Sequence, residues 1–135
     1  MPNVNPSWRS NVGINHVGAY QVSGEPYAVG GVSCADATRI TFPYVTRWFQ
    51  VVNRTHKAIR VGFSENGISG SHYFTVHAHG SGSCPVLETK VSEIWLYGPG
   101  HAAAEADVIA GLTSVPHIRT SGSHGPSWSG SLGVG

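Results

Sequence analysis

The chain has 135 residues, enough for one domain with a single core of two packed layers, and a formal net charge of +1 without any run of Lys or Arg. That balance disfavours direct nucleic-acid binding, which needs several cations set against phosphates. Charged residues make up only 11%, under half the usual share. Little like-charge repulsion opposes association, so the surface suits one covered by neighbours. No apolar run is long enough to span a bilayer, and MPNVNPSWRS lacks the apolar centre of a signal peptide, so no membrane insertion is expected. Cys34 and Cys84 are too few for a disulfide framework or a zinc site, and a reducing compartment favours free buried thiols over a bridge.

Residues 1–18 carry isolated apolar side chains among Asn, Pro, Gly and Ser, the pattern of an extended arm. Trp8 is its natural anchor, because a buried ring offsets much of the ordering cost. Short strands are predicted over 19–23 and 27–32, separated by a turn at Gly24-Glu25-Pro26, with the second stopped at Gly30-Gly31. Another, over 38–42, is broken by Pro43, which cannot donate to a central ladder. The clearest signal spans 42–63, FPYVTRWFQVVNRTHKAIRVGF. Val45, Phe49 and Val51 alternate on one side of its first half, and Ile59, Val61 and Phe63 on one side of its second. This spacing predicts two antiparallel strands paired with each other and closed by a solvated turn from Asn53 to Lys57.

Asn66-Gly67 predicts a tight turn, followed by a loop over 68–71. SHYFTV, over 71–76, reads as a strand with aromatic residues on both faces, and 77–83 as a Gly/Ser/His loop. Residues 86–97 form one strand-like run, bent near its middle, with Glu88 and Glu93 beside Lys90 on its solvent face. A helical turn is expected over 102–106, then a strand over 107–113 with Val108, Ala110 and Leu112 on one face. The tail SGSHGPSWSGSLGVG has linker composition, so ordering it takes contacts; its Pro-Ser-Trp repeats that of residues 6–8. Short strands spaced by turns predict an all-β fold, a single eight-stranded jelly-roll sandwich ahead of an immunoglobulin-like one. The layout is an N-terminal arm over 1–18, the sandwich over 19–115 and a Gly/Ser-rich C-terminal arm over 116–135.

Eight histidines raise a metal reading. His77 and His79 share a face if extended, with His72 as a third ligand, yet Gly and Ser follow them and no carboxylate is near to orient the rings. Surface positions are expected for His56, His101, His117 and His124. No nucleophile elbow, no Lys-bearing phosphate loop and no paired carboxylates stand out. The chain is therefore expected to be no enzyme, with no catalytic residue, cofactor or metal. Trp48, Trp95 and Tyr97 fall opposite the predicted core faces, as at a subunit interface, unless arms of the same chain cover them.

The segments GAYQVSGEPYAVGG, FPYVTRWFQVVNRTHKAIRVGFSENGI, YFTV, VSEIWLYG, DVIAGLTSVP and GPSWSGSLGVG cover nearly the whole chain. Together they resemble small virion proteins of large icosahedral DNA viruses and marine phages, most of all single-jelly-roll vertex (penton) proteins. The resemblance implies a capsid protein assembled inside the host cell, a homopentameric ring closing each vertex and touching other capsid proteins through its arms. Assembly contacts are expected at Trp8, Trp48, Arg60, Trp95, Tyr97 and Trp128. The alternatives are a minor capsid or decoration protein, a carbohydrate-binding module and a cupin-like metal enzyme. The module would stack sugars on Trp48, Trp95 or Tyr97 beside Arg47, Gln50 and Glu93; the enzyme would use His72, His77 and His79.

Overall fold

A computed structural model describes residues 25–78, 85–100, 102–125 and 127–135. The N-terminal arm with Trp8, the strand expected over 19–23, and His79, Cys84 and His101 lie outside these residues. The described chain forms β1 (Glu25–Ser33), β2 (Thr38–Thr41), β3 (Tyr44–Asn53), β4 (Ile59–Gly62), α1 (Glu65–Ser69), β5 (Tyr73–Val76), β6 (Glu93–Tyr97), β7 (Glu105–Pro116) and a 3-10 turn at His117–Thr120. Among the described residues there are seven strands against the eight expected, in two antiparallel sheets ordered β1-β7-β3 and β2-β6-β4-β5. The class is all-β, as composition and turn spacing predicted. Phe49, Val51, Val108, Ala110 and Leu112 of the first sheet meet Ile40, Ile59, Val61, Val76, Ile94 and Leu96 of the second. Among the described residues no helix is long and apolar enough to cross a membrane.

The pair predicted over 42–63 is divided between the sheets. β3 bonds to β7, whereas β4 bonds to β5 and β6. Alternation identified the buried side chains correctly: Phe49, Val51, Ile59 and Val61 are all within 1% of full burial. It could not identify the backbone neighbour, because the inner face of either sheet satisfies the same pattern. The connector crosses between sheets and is held by Asn53. Its Nδ2 donates to the Lys57 carbonyl at 2.7 Å and the His77 carbonyl at 3.1 Å, and its Oδ1 accepts from the Thr55 N–H at 2.9 Å and hydroxyl at 2.7 Å. Asn53 and Thr55 are buried, so the expected solvated turn is wet only at Arg54, His56 and Lys57.

A second crossing explains the bend expected in 86–97. Leu87 and Phe49 exchange backbone bonds of 2.9 and 3.0 Å, and the Thr46 N–H donates to the Val91 carbonyl at 2.9 Å. The 87–91 segment therefore runs along the free edge of β3, and at Ser92 the chain passes to the second sheet as β6. Regular strand begins only at Glu93, which is buried rather than solvent-facing. With 87–91 counted as a strand position, the chain pairs as one long rolled hairpin: β1 with β7, β2 with β6, β3 with 87–91, and β4 with β5.

Other local expectations change for identifiable reasons. Glu25 and Pro26 open β1 instead of turning, and Gly30-Gly31 bulges the strand without ending it. Gly31 takes φ +65°, and its N–H donates to Asp107 Oδ1 at 2.8 Å. Where a tight turn was expected, Ser64 caps α1 by accepting the Gly67 N–H at 2.9 Å. Residues 102–103 only turn, and β7 takes the remainder of the helical stretch from Glu105. Cys34 is a buried free thiol, pushed from 9.0 to about 11 by burial first and the Glu105 charge second.

Candidate functional site: an arginine among aromatic rings

In the second sheet Ile40, Ile59, Val61, Ile94 and Leu96 point inward. Strand alternation therefore turns Arg39 of β2, Arg60 of β4, Tyr73 of β5, and Trp95 and Tyr97 of β6 to the outer face. Register sets Arg60 opposite Tyr97, Arg39 opposite Trp95, and Gly62 opposite both Trp95 and Tyr73. The Arg60 guanidinium lies 4.3 Å from the Tyr73 ring centroid and 5.8 Å from that of Tyr97, a cation held between two π faces. Its other contact is a long 3.5 Å bond to the Ile68 carbonyl. Arg54 pairs with Asp107 at 3.6 Å, and among the described residues neither Arg39 nor Arg60 pairs with a carboxylate.

Trp95 is fixed by its own strand. Its indole N–H donates to Glu93 Oε2 at 2.8 Å, and Glu93 is only 7% exposed. The Ser127 hydroxyl in turn pins the Glu93 backbone, accepting its N–H at 3.2 Å and donating to its carbonyl at 2.9 Å. One end of the face is closed by α1, which settles over Gly62. A β-carbon there would stand 3.2 Å from the His72 carbonyl and 3.3 Å from Ile68 Cδ1.

The outer face of the first sheet is built differently. Trp48 lies against Gly111, its register partner, so closely that a β-carbon on Gly111 would collide with the indole. Ala28, Ile109 and Gln50 form the adjacent row, and Ile109 is 42% exposed. The Arg54–Asp107 pair borders this face.

At the rim the C-terminal segment folds back on its own chain, which supplies the contacts its composition called for. Trp128 packs on the core, its ring N–H donating to the Lys90 carbonyl and its backbone N–H to the Thr120 carbonyl at 2.6 Å. The Ser64 hydroxyl donates to the Val134 carbonyl at 2.8 Å. Ser127 and Trp128 hold φ of +56° and +64°, left-handed conformations that cost a side-chain-bearing residue roughly 1 kcal/mol each.

Of the six expected contacts, Arg60, Trp95 and Tyr97 come together, Trp48 lies on the opposite outer face, Trp128 sits at the rim and Trp8 is outside the described residues. Tyr73 escaped the sequence reading, although the two-faced aromatic pattern of 71–76 was its signal. Arg47 and Gln50, set beside the aromatics as sugar partners, belong to β3 and the first sheet, apart from Trp95 and Tyr97. His72 and His77 are exposed at opposite ends of β5, and among the described residues no three His, Cys, Asp or Glu side chains converge. What the second-sheet face offers chemically is binding by stacking and by charge. Compared with known proteins, the chain matches no family model and no curated relative.

Proposed function

We propose that the chain is a virion structural protein, a capsid vertex subunit built on a jelly roll, which assembles as a ring and meets neighbouring capsomers. The observation carrying this reading is the strand order. With the 87–91 segment as an eighth strand position, two four-line sheets pair as one rolled hairpin, the connectivity of the jelly roll, an architecture used by viral capsid and lectin domains. A fold alone does not fix a function, so the surface must agree. It does so through its low charge and through the outer face of the first sheet, where Ala28, Ile109 and Trp48 give a flat apolar patch that neighbours would bury.

Mass photometry of the purified chain across a range of concentrations tests the reading. A closed ring, of five copies, is the expected species, and Ile109→Asp should dissociate it because the charge would be desolvated at the contact. A strict monomer at every concentration, together with its absence from purified particles by electron cryomicroscopy, would overturn it.

A further inference from the structure

We propose that the outer face of the second sheet is a binding site for an anionic saccharide, stacked on Trp95 and Tyr97 and held through its carboxylate or sulfate by Arg60 and Arg39. The inference goes beyond the assembly reading and does not depend on it, because the apolar face proposed for assembly belongs to the other sheet.

Four observations converge. Trp95, Tyr97 and Tyr73 are half-exposed on one shallow face, and a pyranose presents a face of C–H groups that covers such rings without needing a deep cavity. The Trp95 N–H is already committed to Glu93, so this ring offers its π surface in a fixed orientation rather than a donor. Arg60 is immobilised between two tyrosine rings, and only one of its five donors is used, in a long bond. Such a fork is suited to a carboxylate or sulfate, because its entropy has largely been lost before the ligand arrives. Arg39 is exposed opposite Trp95. From strand spacing, the two arginines are rooted about 12 Å apart, on either side of the rings.

Other occupants fit less well. A protein interface centred here would have to desolvate two arginines that no carboxylate neutralises. Single-stranded nucleic acid also stacks on aromatic rings, but it needs a cationic track along its backbone, and this face has two cations within a chain of net charge +1.

The test is to titrate the full chain with an oligogalacturonate, a sulfated oligosaccharide of equal length, a neutral maltooligosaccharide and an oligothymidylate, following heat and tryptophan emission. The charged sugars should bind, the neutral one about tenfold more weakly, as loss of a charge-assisted contact implies. Preference between the two charged sugars identifies the anionic group. Arg39→Gln, an exposed change that leaves the core alone, should weaken binding about tenfold, Trp95→Ala should abolish it, and Trp48→Ala on the opposite face should leave it unchanged. No binding of either charged sugar, equal binding of the neutral one, full retention in both Arg39→Gln and Trp95→Ala, or tighter binding of the oligothymidylate would overturn the proposal. Mass photometry on the same samples keeps ring formation a separate readout.

Discussion

The two outer faces of this sandwich hold large aromatic side chains in opposite ways. On the first sheet, Trp48 is accommodated by absence: its partner Gly111 has no side chain, and the indole occupies that space against the backbone. On the second sheet the rings are accommodated by polar groups, Glu93 for Trp95 and Arg60 for Tyr73 and Tyr97. The difference matters for function. A ring resting on backbone lowers the polarity of its surroundings, whereas a ring fixed by a charged group keeps that group, and its remaining hydrogen-bonding capacity, at the surface. Equal exposure can therefore mark two different kinds of surface.

The contrast presupposes two separate sheets, so the largest expected effect comes from undoing their joint. Asn53→Ala removes the donors and acceptors that hold the 54–58 crossing and leaves buried carbonyls unpaired; urea denaturation should register a loss of about 3 kcal/mol. Next come the two glycines that define the faces. Gly111→Ala should cost about 2 kcal/mol by overpacking and shift tryptophan emission as Trp48 is displaced. Gly62→Ala, with its nearest neighbours at 3.2 and 3.3 Å, asks only for a few tenths of an ångström and should cost under about 1 kcal/mol. Equal losses at both positions would erase the distinction drawn between the faces. A smaller effect is expected from Arg60→Lys, which keeps the charge but loses the planar stack, lowering stability by about 0.5–1 kcal/mol. One more effect, absent at neutral pH, belongs to the core that both faces share. Because the Cys34 thiol is raised from 9.0 to about 11, the folded state holds its proton more tightly than the unfolded chain. Its contribution is intact below pH 9 and is lost as pH rises towards 11. The stability of Cys34→Ala relative to the parent should therefore improve across that window.

Legibility in the sequence followed the physics of each signal. Period-two alternation reports which side chains leave water, so Phe49, Val51, Ile59, Val61, Val108, Ala110 and Leu112 were correctly assigned to the interior. Pairing is a long-range property, and β3 finds its partner β7 more than fifty residues away, out of reach of any local pattern. Where two local signals competed, the weaker-looking one prevailed: Asn66-Gly67 suggested a turn, but the Ser64 hydroxyl three residues before Gly67 nucleated a short helix. The candidate site was half legible. Arg60, Trp95 and Tyr97 were selected as outward-facing, but only the register of β4 against β5 and β6 brings them to Tyr73. Glu93 was misread as a solvated carboxylate; it is buried, its carboxylate bonded to Trp95 and its backbone to Ser127, thirty-four residues later.

Among the described residues β1 lies at the end of its sheet, where a further strand can be added. Pro26 brings no N–H to that edge, the register slips between Val29 and Val32, and the Gly31 N–H is taken by the Asp107 carboxylate. A foreign strand laid along β1 would find a broken ladder. Growth by endless strand addition, the route to fibrils, is closed at this edge by three neighbouring features of the backbone. Copies of this molecule that meet along β1 must do so through side chains, at fixed angles, and contacts of that kind can close on themselves and stop.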